Sequence, residues 1–214
     1  MYGQGTFELA CDALVRFGQA VLQERLAAST CGNVSVRLDK DRFVISASGA
    51  QIGCLGLDTV AIVSLADGKG LAGPKPSMET ELHRRAYLAR PTVGAVLHCQ
   101  SPAATLFACD PLAPQNLDFI PEIPAYVRKF AQVPYAAPGS NELAHSVTTA
   151  LADPDVTVVQ MRNHGQVIIG SSWENAVRRG VFFEMACWMA LQGRVLQPIP
   201  EADAAHLRTY ARDV

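Results

Sequence analysis

The sequence predicts an α/β fold: a single-domain three-layer α/β/α sandwich with a central, largely antiparallel or mixed sheet. Three observations lead to this prediction. The 214 residues suit one domain and include no linker-like stretch, so we predict a single domain over residues 1–214. Short strand patterns follow one another across tight turns, which is typical of antiparallel neighbours. Further along, helical and strand patterns alternate, so helices are available to cover the sheet.

The first predicted elements are a helix and a hairpin. Residues 7–27 carry apolar side chains at a helical period, which predicts an amphipathic helix. Residues 33–38 and 42–46 alternate between the two faces of a strand on either side of a polar turn, which indicates a β-hairpin. A third strand is predicted at 59–64.

Helices and strands then alternate. Ser77 is predicted to N-cap a helix that ends before Pro91. The apolar run 93–97 predicts a buried strand that leads into His98. A proline-rich loop is predicted at about 110–124.

The C-terminal third is predicted to contain two helices with two strands between them. Ser140 can cap the first helix, and a capping box begun by Ser171 starts a longer helix that ends near Gly193. The two strands are predicted at 156–161 and 166–169, on either side of a glycine turn.

Composition and charge exclude several classes of partner. Eighteen basic and 20 acidic residues give a formal net charge of −2, so there is no basic footprint for nucleic acid or an anionic membrane. No apolar run approaches the roughly 18 residues of a membrane span, and the N-terminus lacks the features of a signal peptide. The six cysteines have no C-x-x-C spacing, which indicates reduced thiols. We expect a cytoplasmic protein with a small-molecule substrate and no nucleic acid or membrane partner.

Three polar residues stand where a site could form. Side chains alternate along a strand, so His98 and Gln100 should share a face. His164 lies in a turn beside Gly165, and Glu79 lies near a helix start with free backbone N–H groups. Taken alone, such a histidine is more often a hydrogen-bonded structural residue, and such a glutamate more often a partner of the helix dipole.

The order of six short motifs changes this interpretation. The sequence resembles the class II aldolase/adducin family in carrying, in order, T-x-G-N-x-S at 30–35, S-x-S-G at 46–49, P-S-x-E at 76–79, R-P followed by V-x-H at 90–98, P-Y-x-x-P-G-S-x-E-L-A at 134–144 and N-H-G at 163–165. The resemblance spans residues 7–193.

The resemblance implies a role for each matching residue. Glu79 would be the catalytic acid/base, and His98 and His164 would bind a divalent metal, usually zinc, which stabilises an enediolate as a Lewis acid. The resemblance also implies a homotetramer with active sites at subunit interfaces. The residues that would hold the substrate phosphate are Gly32, Asn33, Ser48, Gly49 and Ser77.

Two positions depart from the family pattern. Gln100 replaces the second histidine of an H-x-H pair. An amide oxygen is a harder ligand than imidazole, so Mn or Mg become possible beside zinc. Three interpretations of Gln100 are open: a functional metal site with an oxygen ligand, a site with weak metal occupancy, or a domain that has lost catalysis. Met78 replaces a second serine, so the bound anion could be a carboxylate, and decarboxylation stands beside aldol cleavage.

The predicted function is therefore a metal-dependent carbon–carbon lyase acting on a small sugar-phosphate or a keto or hydroxy acid. Sugar-phosphate 4-epimerisation and a non-catalytic adducin-like interaction module are the alternatives. His83, one turn after Glu79, is expected to be structural. A second catalytic acid could come from Glu122, Tyr126 or Tyr210.

Overall fold

The computed structural model describes residues 4–210, and the side chains of residues 7–209. Within this part of the chain, eight strands form one sheet. The strands are β1 Asn33–Arg37, β2 Arg42–Ser46, β3 Val60–Ser64, β4 Gly70–Ala72, β5 Ala95–Cys99, β6 Lys129–Val133, β7 Val156–Met161 and β8 Gly165–Gly170. The helices are α1 Gln4–Gln23, α2 Thr80–Ala89, α3 Pro102–Cys109, α4 Asn141–Ala150, α5 Trp173–Ala190 and α6 Glu201–Tyr210.

The strand order across the sheet is β4-β3-β2-β1-β5-β8-β7-β6. Every neighbouring pair is antiparallel except β6 and β7, which are parallel. The predicted mixed, largely antiparallel sheet is confirmed. Its centre is β5, whose His98 lies opposite Asn33 of β1 on one side and Val167 of β8 on the other.

Helices cover both faces of the sheet, which confirms the three layers. Leu97 belongs to an apolar cluster that includes side chains of α1, α3 and α5, such as Phe17, Phe107 and Phe183. Its neighbour Val96 belongs to a second cluster, with side chains of α2 and α4. Successive residues of a strand point to opposite faces, so the two clusters lie on opposite sides of the sheet. His98 shares the face of Val96, and therefore looks toward α2.

The structure corrects two predicted helix starts. Helix α2 begins at Thr80 with Glu79 as its N-cap, and Ser77 instead accepts a hydrogen bond from the Glu79 N–H at 3.3 Å, inside the turn before the helix. Helix α5 is capped by Ser172, not Ser171, because the Ser172 hydroxyl accepts from Asn175 N. The cap at Ser140 is confirmed.

Four elements were absent from the sequence prediction: β4, α3, β6 and α6. Strand β4 has three exposed residues, and β6 follows a loop rich in proline, so neither has an apolar alternation to reveal it. Helix α3 has only eight residues and begins immediately after a strand. No helix of the described residues is long and apolar enough to cross a membrane.

Candidate metal centre

Three side chains from separate parts of the chain converge at the end of β5. Glu79, His98 and His164 each offer one ligand atom, and these atoms lie within 4.8 Å of one another. Glu79 Oε2 is 3.2 Å from His98 Nε2, and Glu79 Oε1 is 3.6 Å from His164 Nε2. The pairing of β5 with β8 brings the two histidines together, and their ring centroids are 4.9 Å apart.

The hydrogen bond behind His98 sets its tautomer. His98 Nδ1 lies 3.0 Å from the main-chain oxygen of Gln166. A carbonyl oxygen can only accept, so Nδ1 carries a proton and Nε2 is the nitrogen that faces Glu79 and His164. This is the usual arrangement of a metal-ligating histidine, whose second nitrogen is held by a carbonyl or carboxylate.

Glu79 and His164 are in the ionisation states that a divalent cation needs. Burial by itself would raise the pKa of Glu79, but the neighbouring His98, a hydrogen bond from Asn33, and His164 outweigh it and lower the pKa. Burial and the nearby His98 lower the pKa of His164, which favours the neutral imidazole. A carboxylate and a neutral imidazole are the ligand forms that bind metal.

Unused polar atoms support the same conclusion. Glu79 Oε1 and His164 Nδ1 are buried and have no hydrogen-bond partner among the described residues. A buried polar atom without a partner costs free energy unless something else satisfies it. A cation placed between the carboxylate and the two imidazoles would satisfy Oε1, so the residues present fit a metal.

A chain of buried hydrogen bonds holds Glu79 in place. Asn33 Nδ2 donates to Glu79 Oε2 at 3.0 Å, and Asn33 Oδ1 lies 2.5 Å from His83 Nε2. On the other side of the ring, His83 Nδ1 is 2.7 Å from the hydroxyl of Ser35, which is 2.7 Å from the hydroxyl of Tyr87. An oxygen acceptor at Asn33 requires His83 Nε2 to donate, so Nδ1 accepts from Ser35. His83 is therefore a hydrogen-bonded residue behind the site.

Burial of His83 makes stability depend on pH. Burial lowers its pKa from 6.5 to about 3, whereas the unfolded chain takes up the proton near 6.5. Between these values the unfolded state binds more protons, so lowering the pH reduces the free energy of unfolding by up to about 1.4 kcal/mol per pH unit. We expect chemical denaturation of metal-free His83→Gln protein to show a shallower slope from about pH 6.5 to 5. The exposed His145→Gln control should keep the full slope, and equal slopes for all three proteins would contradict this account.

The metal centre opens into a cavity of about 250 Å³, which we call the catalytic cavity. Its wall contains Gln100, Met78 and every residue predicted to bind phosphate: Gly32, Asn33, Ser48, Gly49 and Ser77. The turn at Gly32 has φ +93°, and a Cβ there would lie 2.4 Å from the main-chain oxygen of His98. This close approach requires glycine and joins the loop before β1 to the strand that carries His98.

A family model described as the Class II Aldolase and Adducin N-terminal domain matches residues 12–191. This chain belongs to the class II aldolase and adducin family. The match covers the six ordered motifs and all the residues of the metal centre.

Curated relatives of the family catalyse several reactions. The 3-oxo-tetronate 4-phosphate decarboxylase of Haemophilus influenzae is 27% identical over 206 residues, which cover 94% of this chain and 97% of the relative. The L-fuculose phosphate aldolase of Methanococcus maripaludis is 34% identical, covering 72% of this chain and 82% of the relative. The methylthioribulose-1-phosphate dehydratase of Pseudomonas syringae is 32% identical, covering 83% and 91%.

Solved structures of the family share the fold. The crystal structure of YgbL from Klebsiella pneumoniae has a TM-score of 0.85 and 26% sequence identity, and the match covers 94% of this chain and 98% of that chain. YgbL from Escherichia coli has a TM-score of 0.86 and 25% identity, with 96% and 100% covered.

Among the residues proposed as a second acid, Glu122 and Tyr126 do not line the catalytic cavity. Tyr126 lies in the helical turn 123–127, where its ring stacks on Phe182 at 5.4 Å and Arg178 lies over it. The side chain of Tyr210 lies outside the described residues.

The sequence analysis missed the hydrogen-bond chain behind Glu79. Two signals point to it. His83 and Tyr87 follow Glu79 at intervals of four residues, which is one face of a helix, and Asn33 and Ser35 alternate on one face of a strand.

Proposed function

We propose that this chain, a metal-dependent lyase of the class II aldolase type, releases CO₂ from a small phosphorylated 3-oxo acid. The observation that carries the proposal is the convergence of Glu79, His98 and His164 at the catalytic cavity. Support for the substrate class comes from the decarboxylase of Haemophilus influenzae, which aligns over nearly its whole length.

His98 and His164 would hold the cation, and Gln100 is the third candidate ligand because it lines the same cavity. When bound, a divalent cation supplies a Lewis acid that stabilises negative charge on the substrate carbonyl oxygen. Zinc suits the imidazoles, and the amide oxygen of Gln100 makes Mn or Mg alternatives.

Glu79 would move the proton. When the carboxylate of a 3-oxo acid leaves as CO₂, the electron pair of the broken bond passes to the ketone, and the carbon left behind must gain a proton. Glu79 lies at the cavity wall beside both histidines and can deliver a proton taken up from water. Asn33 and His83 would keep the carboxylate oriented for this transfer.

The loops that line the catalytic cavity beside the metal centre would bind the phosphate. Gly32 and Gly49 both have positive φ, and Ser48 and Ser77 add hydroxyl groups to the same wall. Met78 is 68% exposed and adds no hydroxyl to this wall. The anion would therefore depend on backbone N–H groups and on these two serines.

Aldol cleavage is the second candidate, and the ionised state of Glu79 favours it. Retro-aldol cleavage begins when a base removes the proton of the substrate hydroxyl, and the lowered pKa of Glu79 keeps it a base at neutral pH. The relationship to L-fuculose phosphate aldolase supports this candidate.

An assay with two substrates separates the candidates. Protein loaded with Zn or Mn is given 3-oxo-tetronate 4-phosphate, with CO₂ as the readout, and L-fuculose 1-phosphate, with dihydroxyacetone phosphate as the readout. CO₂ release alone supports decarboxylation, and cleavage of the sugar phosphate alone supports the aldolase. Neither product, together with less than about a tenth of an equivalent of metal after soaking, would instead favour a non-catalytic module.

Gln100→His is expected to tighten zinc binding, because imidazole is a better zinc ligand than an amide oxygen. Competition with a fluorescent zinc chelator measures the change. Gln115→His, outside the catalytic cavity, is the matched control. An affinity equal to that of the unaltered protein would show that position 100 does not face the metal.

We also propose a homotetramer with active sites at subunit interfaces and a cytoplasmic location, as the family resemblance implies. Light scattering during size-exclusion chromatography tests the assembly.

A further inference from the structure

A second cavity, of about 410 Å³, lies at the far end of β5 and β8 from the metal centre. Its wall includes Gly170, the last residue of β8, which pairs with Ala95 at the start of β5. His98 and Gly165 lie at the opposite ends of the same two strands. Five residues of strand at ~3.3 Å each place the two cavities roughly 15 Å apart, and they share no lining residue.

Three guanidinium groups line this second cavity, which we call the arginine cavity: those of Arg90, Arg128 and Arg179. The described residues of its wall include no acidic side chain. The hydroxyl groups of Thr92 and Ser171 complete the polar lining. The wall thus carries a formal charge of +3 together with neutral donors, which is the composition of a site for an anion.

The partners of these arginines hold them in place and leave most of the charge in the cavity. Arg90 donates to the main-chain oxygens of Leu151 and Asp153. Arg179 donates to those of Tyr126 and Ile169. Arg128 pairs with the carboxylate of Asp155. A carbonyl orients a guanidinium without neutralising it.

The positively charged guanidinium groups of the arginine cavity lie close together and are partly buried. Burial, followed by the charges of Arg128, Arg90 and Arg178, lowers the pKa of Arg179 to about 10. Burial and Arg128 also lower the pKa of Arg90, and the carboxylates of Asp153 and Asp155 only partly oppose them. An anion among the three groups would relieve this repulsion.

Arg128 shows two further signs of a binding residue. Its Nε is buried and has no hydrogen-bond partner among the described residues. Its backbone has φ 63° and ψ −84°, a conformation that non-glycine residues rarely adopt. Strained backbone persists where the surrounding structure enforces it, and it is concentrated at ligand clamps and active sites.

We propose that the arginine cavity is a second anion site, which binds the phosphate group of a small phosphorylated metabolite. Its volume falls within the ~300–1,000 Å³ of small-molecule sites, so there is room for more than a bare phosphate ion. Arginine forks match phosphate oxygens, and the exposed Thr92 and Ser171 leave an entrance from solvent. This site is independent of the metal centre and of the reaction proposed there.

Calorimetric titration of the metal-free full chain tests the proposal at low ionic strength. All proteins carry Ser48→Glu, whose added carboxylate blocks the phosphate position proposed in the catalytic cavity. The probes are inorganic phosphate and glycerol 1-phosphate, which separate the free ion from a phosphate ester. Arg128→Gln removes a charge from the cavity wall. Thr92→Glu adds a carboxylate at an exposed position on the rim, so this variant should fold even if Arg128→Gln does not. Arg178→Gln, an exposed neighbour outside the cavity wall, is the control of equal charge change.

We expect the Ser48→Glu protein to bind phosphate, and Arg128→Gln and Thr92→Glu each to weaken binding by at least about tenfold. Arg178→Gln should stay within about twofold. Tighter binding of glycerol 1-phosphate would identify the ester as the ligand, and equal binding would identify the free ion. The proposal is overturned by no binding to the Ser48→Glu protein, or by equal weakening in Thr92→Glu and Arg178→Gln. A change of oligomeric state in Thr92→Glu without a change in phosphate affinity also overturns it, because the cavity would then be a contact between copies of the chain.

Discussion

Glu79→Gln should lower kcat by about 10²–10⁴-fold on whichever substrate the enzyme turns over. Glutamine keeps the shape of the side chain and can still accept the hydrogen bond from Asn33, but it can neither take up nor deliver the proton. Steady-state kinetics are measured on protein whose metal content per chain has been determined, so that a loss of metal is not mistaken for a loss of proton transfer.

The control for this substitution is Glu142→Gln, an exposed glutamate in the first turn of α4 that makes the same change of charge. It should leave kcat unchanged. If Glu79→Gln with a full complement of metal turned over within about threefold of the unaltered enzyme, Glu79 would not be the acid/base.

Removing either proposed histidine ligand should greatly weaken metal binding and lower turnover. His98→Ala and His164→Ala each delete one of the two imidazoles that face Glu79. We expect zinc affinity to fall by more than the roughly 10–100-fold that loss of an outer-shell partner costs. Chelator competition gives the affinity, and the two substrate assays give the activity.

His145→Ala is the matched control, because His145 is exposed on α4 and outside the catalytic cavity. It should keep full metal content and activity. Full zinc affinity in His164→Ala would remove that residue from the metal centre, and the proposed reaction would lose one of its two imidazole ligands.

The fold and the site residues could be predicted for different reasons. The sheet could be predicted because several of its strands are rich in apolar residues, as 156–161 and 95–99 are. Family motifs indicated Glu79, His98 and His164 because each motif is local in the sequence. Neither argument contains the distance between residues 98 and 164, which depends on the pairing of β5 with β8.

What could not be predicted depends on contacts between distant residues. The role of Asn33 in holding Glu79 links residues 46 positions apart. The arginine cavity joins Arg90, Arg128 and Arg179, which no single motif contains. Helix α2 starts later than expected because Ser77 bonds within the preceding turn, and propensity alone does not distinguish these two starts.

The tight packing of Gly32 against the His98 carbonyl has a consequence for mutagenesis of this protein. A methyl group at position 32 would collide with the backbone of His98, one of the two proposed histidine ligands. A substitution in this proposed phosphate loop would then also weaken metal binding. A kinetic defect caused by replacing Gly32 would therefore combine a loss of phosphate binding with a loss of metal, and could not be assigned to substrate affinity alone.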